Sequence, residues 1–88
     1  MSEPESLIEY PCAFPLKIMG HAHEELTATV LSIVTRHDPG FDSTTVEYRS
    51  STGGKYVGLT CTVTATSRQQ LDAIYTELTG HPLVKVVL

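Results

Sequence analysis

The sequence predicts an α+β fold in which a four-stranded antiparallel sheet carries two helices on one face. Three features support this prediction: two stretches with helical spacing of apolar residues, one long stretch in which apolar and polar residues alternate, and the apolar segment PLVKVVL from Pro82 to Leu88. A free segment of that composition would expose a sticky apolar surface, so we expect it to pair with a sheet formed earlier in the chain.

The first two elements are predicted to be a strand and a helix. Phe14 to Gly20 is extended, and Gly20 is expected to end the strand in a sharp turn. His23 to His37 is predicted to be helical, although the sequence offers no clear N-cap, and Asp38-Pro39-Gly40 ends it. The apolar stripe of this helix has the spacing of one helical face: Leu26, Val30, Ile33 and Val34.

A hairpin is predicted next. Thr44 to Ser51 forms the second strand, Thr52-Gly53-Gly54 forms the turn, and Lys55 to Ala65 forms the third strand. The third strand has the clearest alternation in the chain. Its apolar set is expected to face the core: Val57, Leu59, Cys61, Val63 and Ala65.

A second helix and a final strand complete the prediction. The helix begins at Ser67, because Ser67-Arg-Gln-Gln70 fits a capping box, and it ends at Gly80. Its predicted core stripe is Leu71, Ile74, Tyr75 and Leu78. In the final strand, strict alternation predicts that Val84, Val86 and Leu88 face the core. The same alternation places three residues on the opposite face: Leu83, Lys85 and Val87.

The resulting order of elements, βαββαβ, is the split βαβ or ferredoxin-like arrangement. Right-handed crossovers place both helices on the same side of the sheet, and the expected strand order is 4-1-3-2. The first and third strands are then central, and the second and fourth are edges. With 88 residues, the chain is expected to form one domain over residues 10–88, preceded by a flexible acidic tail over residues 1–9.

The composition argues against several classes of partner. The chain has 6 Lys and Arg residues against 10 Asp and Glu residues, a net charge of −4, whereas nucleic acids and anionic membranes attract positive surfaces. The 2 cysteines are too few for a disulfide framework, and the N-terminal sequence does not resemble a signal peptide. We therefore expect a cytoplasmic protein without a nucleic-acid or membrane partner.

The sequence predicts no cofactor, no metal site and no catalytic residue. His21-x-His23 with Cys12 is not a zinc spacing. RNA binding is a remote alternative, since a domain of this topology needs aromatic residues in the middle of its central strands, and here only Tyr56 is available, at the hairpin end. An enzyme is a second remote alternative. The Gly53-Gly54 turn lacks a phosphate-loop pattern, and the loop after the first strand carries no arginine, unlike that of acylphosphatases.

Two places on the predicted fold are candidates for function. One is the sheet face opposite the helices, where an interacting protein would meet a small apolar and basic set: Met19, Leu83, Lys85 and Val87. The other is a small-ligand site from residues at the two ends of the first helix: Gly20, His21, Arg36 and His37. Those ends lie roughly 20 Å apart, so the ligand would need a dimer interface. Alternatively, Arg36 and His37 only stabilise the helix C-terminus.

Several segments occur in an order and spacing that together are specific. They are Tyr10-Pro-Cys-x-Phe-Pro15, Lys17-Ile-Met-Gly20, Arg36-His-x-Pro-Gly40, Ser50-Ser51 with Gly54-x-Tyr56, Ala65 to Leu78, and His81-Pro-x-Val-Lys-Val-Val-Leu88. In these segments the chain resembles the YbeD-like family of uncharacterised bacterial proteins. The resemblance implies a ferredoxin-like fold similar to ACT regulatory domains, a regulatory role and a suggested link to lipoate metabolism. It implies no catalytic residue.

We therefore expect a non-enzymatic regulatory or interaction domain with an unidentified protein partner, and a homodimer is possible through the sheet edges or the open face. The alternative is a sensor that binds a small molecule at a dimer interface, since ACT domains typically bind effectors between paired domains. An enzyme or an RNA-binding protein is the remote alternative.

Overall fold

The computed structural model describes residues 9–88. The helices and strands follow in the predicted order: β1 (Cys12–His21), α1 (Leu26–His37), β2 (Glu47–Ser50), β3 (Tyr56–Ala65), α2 (Arg68–Thr79) and β4 (Val84–Val87). The strands form one antiparallel sheet in the order β2-β3-β1-β4. The predicted ferredoxin-like α+β fold is confirmed. The predicted tail, residues 1–9, lies outside the described residues except for Glu9, and the domain boundary stays a prediction.

β1 is the centre of the sheet. It pairs with β3 along its whole length, from Cys12 opposite Ala65 to His21 opposite Tyr56. On its other side it pairs with β4. The strand therefore runs longer than predicted at both ends, and it continues through Gly20 rather than turning there.

The core lies between the sheet and the two helices. Helical spacing on α1 and α2 and alternation on β1 and β3 direct apolar side chains into the same layer. The largest fully buried side chains come from the strands and from both helices: Ile18, Leu26, Val30, Val34, Leu59, Val63, Ile74 and Leu78. Tyr75 departs from the predicted core stripe of α2, because its side chain is 48% exposed.

The last strand departs from the predicted alternation. Met19 pairs with Val86 and Gly20 pairs with Val84, so Lys85 is an extra residue between two paired positions, a β-bulge. The bulge moves Val87 into the core, where it is 2% exposed, and turns Val86 outward at 38%. The prediction that Val87 and Leu83 face outward is therefore wrong; Leu83 precedes β4 and packs partly buried against the core.

The two helices begin differently. α1 starts at Leu26, later than predicted, and its N-cap Glu25 makes no capping bond with its side chain. α2 has the predicted cap, since the Ser67 hydroxyl oxygen accepts a hydrogen bond from the Gln70 amide at 3.0 Å. The reciprocal bond of a capping box is displaced by one residue, because the Gln70 side-chain oxygen accepts from the Thr66 amide at 2.7 Å.

A buried carboxylate connects the end of α1 with the end of β3. Asp38 is 7% exposed, and its Oδ2 accepts a hydrogen bond from the Thr64 amide at 2.9 Å. The Gln70 side-chain amide donates to the carbonyl oxygens of His37, at 2.9 Å, and Thr64, at 3.2 Å. These bonds satisfy backbone groups that would otherwise lose their partners at the helix and strand ends, so they fix how the helices sit on the sheet.

Gly20 of β1 lies close to Leu26 of α1 and to Leu83, the residue before β4. A Cβ atom built on Gly20 would lie 2.6 Å from the Leu26 Cδ1 and 2.6 Å from the Leu83 carbonyl oxygen. The backbone at this position is also bonded to β4, since the His21 amide donates to the Leu83 carbonyl at 2.9 Å. Glycine is therefore required here for close packing.

We predict that Gly20→Ala lowers the free energy of unfolding by about 1–3 kcal/mol, because the added methyl group must push backbone as well as a side chain. Urea unfolding at neutral pH measures this loss. Gly58→Ala is the matched control in the neighbouring strand, where the nearest atom to an added Cβ is the Arg49 carbonyl oxygen at an ordinary 3.6 Å. Equal losses in the two variants would contradict the packing role of Gly20.

Candidate functional site

The helices cover one face of the sheet, and no part of residues 9–88 covers the other. Cross-strand pairing arranges the side chains of this open face in rows. One row runs Glu47, Thr60, Lys17 and Leu88 across the strands. The next row runs Arg49, Gly58, Met19 and Val86. The open face therefore presents short ordered sets of charged, small and apolar groups.

Three exposed apolar side chains meet on the β1–β4 side of the open face, and we name Met19, Val86 and Leu88 the apolar patch. Their exposed fractions are 41%, 38% and 77%. Met19 lies directly opposite Val86, and Leu88 exchanges two backbone hydrogen bonds with Lys17, of 2.7 and 3.2 Å. The sheet backbone thus places the three side chains next to one another on this face.

A hollow of about 300 Å³ adjoins the apolar patch, and its walls include Lys17, Met19 and Arg49. The hollow forms at Gly58, which lies between Arg49 and Met19 in their row and has no side chain to fill the space. The hollow combines an apolar wall with two cations, although the whole chain has a net charge of −4. Glu47 is the one acidic residue in its lining.

A second cluster lies at the hairpin end of the open face. The rings of His21 and Tyr56 lie with their centroids 5.6 Å apart, and the Lys85 Nζ lies 5.8 Å from the centroid of the Tyr56 ring. A cation at that distance from a tyrosine ring is stabilised by about 0.5–1 kcal/mol where it is exposed. Lys85 lies on β4 and Tyr56 on β3, so this contact spans β1.

The four residues predicted to hold a small ligand occupy three different environments. His21 lies on the open face beside Tyr56. Gly20 is buried against Leu26 and Leu83. Arg36 and His37 lie on the other side of the molecule, at the end of α1. The structure therefore does not bring the four into one pocket, in agreement with the inference that a single monomer cannot join them.

Arg36 and His37 share one acceptor, Glu77 of α2, which the sequence alone did not indicate. The Arg36 guanidinium donates to Oε2 of Glu77, and the His37 Nε2 lies 2.6 Å from Oε1. These two hydrogen bonds, the Arg36 bond first, lower the pKa of Glu77 below its ordinary value of 4.5. Arg36 and Glu77 also line a groove of about 460 Å³ between the helices. The cluster ties the two helices together at the surface.

The thiol and histidine groups do not assemble into a reactive centre within residues 9–88. Burial raises the pKa of the Cys61 thiol to about 11, which keeps it protonated and poorly nucleophilic at neutral pH. In the same part of the chain, no three side chains of His, Cys, Asp or Glu come close enough to hold a metal ion. Neither helix of the described region is long and apolar enough to cross a membrane.

Comparison with known proteins gives the chain a family. The model of the family described as "protein of unknown function (DUF493)" matches residues 5–88. The chain belongs to this family. Relatives called UPF0250 proteins match the chain over most of their own length. That of Paraburkholderia phytofirmans is 58% identical over 96% of this chain and 94% of its own. That of Nitrosomonas europaea is 57% identical over 96% of this chain and 97% of its own.

These relatives confirm the resemblance to an uncharacterised bacterial family that the sequence segments indicated. A third relative, the UPF0250 protein of Bordetella pertussis, is 57% identical over 96% of this chain and 92% of its own. The family description assigns DUF493 no activity.

We predict that Glu77→Gln destabilises the protein at neutral pH and that the difference from wild type shrinks in acid. The folded-state pKa of Glu77 is lowered, so the stabilisation is complete above the ordinary value of 4.5. As the pH falls through the lowered pKa, Glu77 becomes protonated in the folded state too and the stabilisation is lost.

Urea unfolding midpoints at neutral and acid pH measure this dependence. Glu24→Gln, an exposed position before α1, is the matched control and is expected to show no such pH-dependent difference. If the two substitutions gave the same pH dependence, the ion-pair cluster at Glu77 would not be the cause.

Proposed function

We propose that this DUF493 member is a non-enzymatic regulatory domain that binds an acidic and apolar segment of a partner protein on its open face. The apolar patch is the observation that carries the proposal. Met19, Val86 and Leu88 expose apolar surface side by side and line a hollow. Contiguous apolar surface next to charge is typical of protein-binding sites, whereas scattered single apolar residues are not.

The charges around the apolar patch support an acidic partner. Lys17 and Lys85 flank the patch on β1 and β4, while the acidic residue of the face, Glu47, lies on β2 at the far edge. A partner segment with a carboxylate beside an apolar side chain would therefore find both a cation and apolar surface on the β1–β4 side. Such complementary charge contributes to specificity and to the rate of encounter.

A non-enzymatic role is supported by the chemistry of the described residues. The Cys61 thiol is buried and its pKa is raised to about 11. His37 is engaged by Glu77, and His21 lies against the ring of Tyr56. A nucleophile with an adjacent general base, which covalent catalysis requires, is not formed by these groups.

Small-molecule sensing is a second candidate function, favoured by the hollow above Gly58. The resemblance to the YbeD-like family implies an ACT-like arrangement and a link to lipoate metabolism, and both would suit a small acid with an apolar body. Lipoate has that chemistry: its apolar chain would lie along Met19, and its carboxylate would meet Lys17. The proposed ligand site of Gly20, His21, Arg36 and His37 stays a prediction and would require two chains.

We predict that Val86→Glu removes a specific partner from affinity capture, because the new carboxylate repels an acidic segment and disrupts the apolar contact. Ser32→Glu places the same side chain on the exposed surface of α1 and is the matched control. Quantitative mass spectrometry of proteins captured from native lysate is expected to show a loss of about tenfold or more for Val86→Glu only. A partner retained equally by both variants would contradict binding at the apolar patch.

For the second candidate, we predict that lipoate shifts the amide resonances of Lys17, Met19, Gly58 and Val86 in a nuclear magnetic resonance titration. Lipoamide, which lacks the carboxylate, is the control ligand and is expected to bind more weakly, as is lipoate to a Lys17→Gln variant. Shifts confined to the His37 region, or none at saturation, would exclude this site for lipoate while leaving the protein-partner proposal to its own test.

A further inference from the structure

The two edge strands of the sheet differ in whether they can accept another strand. At β4, Lys17 and Leu88 exchange both backbone hydrogen bonds, so the backbone groups of Val87, one residue along, point away from β1. The Tyr75 hydroxyl donates to the Val87 carbonyl at 3.2 Å. That bond and the bulge at Lys85 block the β4 edge, two devices that protect edge strands from pairing.

The β2 edge has neither device. The Ser51 amide donates to the Tyr56 carbonyl at 3.0 Å, and β2 pairs with β3 in continuous register from Glu47 to Ser50. Alternation then turns the backbone groups of Glu47 and Arg49 toward β3 and those of Tyr48 and Ser50 toward solvent. Within residues 9–88, no side chain bonds to those outward groups. All four residues of β2 are exposed, and Tyr48 is 59% exposed.

The charges of β2 make it complementary to itself. When two β2 strands pair antiparallel across a two-fold axis, only residues whose backbone groups point outward can exchange hydrogen bonds. The pairing is therefore centred on Tyr48, on Ser50 or on Arg49, which lies between them. The register centred on Tyr48 sets Glu47 of each copy directly opposite Arg49 of the other, twice, on the open face. The register centred on Arg49 sets two guanidinium groups opposite each other, which destabilises a strand pair.

We propose that the chain forms a homodimer by antiparallel pairing of two β2 strands, with Tyr48 opposite Tyr48 of the second copy and reciprocal Glu47–Arg49 pairs. The two sheets then become one sheet of eight strands, and the two exposed tyrosine rings meet on the side that carries the helices. The proposal goes beyond the binding of a partner at the apolar patch, because that patch lies on β1 and β4 and remains exposed in the dimer.

Sedimentation velocity over micromolar to millimolar concentrations tests the dimer. The edge is only four residues long, so we expect a weak, concentration-dependent dimer rather than an obligate one. Glu47→Arg and Arg49→Glu are each expected to abolish it by setting like charges opposite each other, and the double variant Glu47→Arg/Arg49→Glu is expected to restore it. Glu25→Arg, at an exposed position before α1, is the charge control and should leave the dimer unchanged.

A monomeric wild type at the highest concentration would overturn the proposal. So would a double variant no more dimeric than the single variants, provided that circular dichroism shows all of them folded. Neither result bears on the apolar patch, which is tested separately with Val86→Glu.

Oxidative cross-linking tests the register. In a Cys12→Ser background, where the remaining Cys61 is buried, Tyr48→Cys is expected to form a disulfide-linked dimer, because Cα atoms of a directly opposed, hydrogen-bonded pair lie about 5.5 Å apart, within disulfide range. Arg49→Cys and Ser50→Cys report the other two registers. Preferential cross-linking of either one would overturn the Tyr48-centred pairing.

Discussion

The position of β1 between β3 and β4 is the constraint on which the rest of the molecule depends. Its ladder with β3 is ten pairs long, and the last part of the chain must fit on its other side while α1 packs above it. All three requirements meet at Gly20, where only a residue without a side chain lets Leu26 and the Leu83 carbonyl approach. Close packing at Gly20 therefore brings together α1, β1 and the segment that leads into β4.

The pairing of β4 with β1 also determines which side chains lie on the open face. A shift of one residue in strand register exchanges the two faces of a strand, and the bulge at Lys85 makes this shift halfway along β4. Val84 and Val87 are thereby both buried, while Val86 and Leu88 join Met19 on the surface. The apolar patch is thus a consequence of how β4 fits on β1.

Local patterns in the sequence were sufficient to predict those elements of the structure that depend on neighbouring residues alone. The alternation of β3, the cap at Ser67 and the order of the strands followed from spacing and turn residues. Met19 and Lys85 were also placed correctly on the open face. Val87 was not, because a bulge depends on the partner strand. Leu83 was not, because it precedes β4 and packs partly buried against the core. Glu77 was missed because Arg36 and His37 precede it by 41 and 40 residues.

The difference between the open β2 edge and the blocked β4 edge would affect how a partner binds. In the proposed dimer the two-fold axis is perpendicular to the sheet, so both apolar patches lie on the same side. The β4 strands form the outer edges, and each patch spans β1 and β4, so about six inter-strand spacings of about 4.8 Å place the centres of the patches roughly 30 Å apart. A partner that is itself dimeric, with acidic segments at that separation, would engage both patches at once and gain affinity through effective concentration. Blocking β4 while leaving β2 open therefore directs the proposed dimer contact away from the apolar patch.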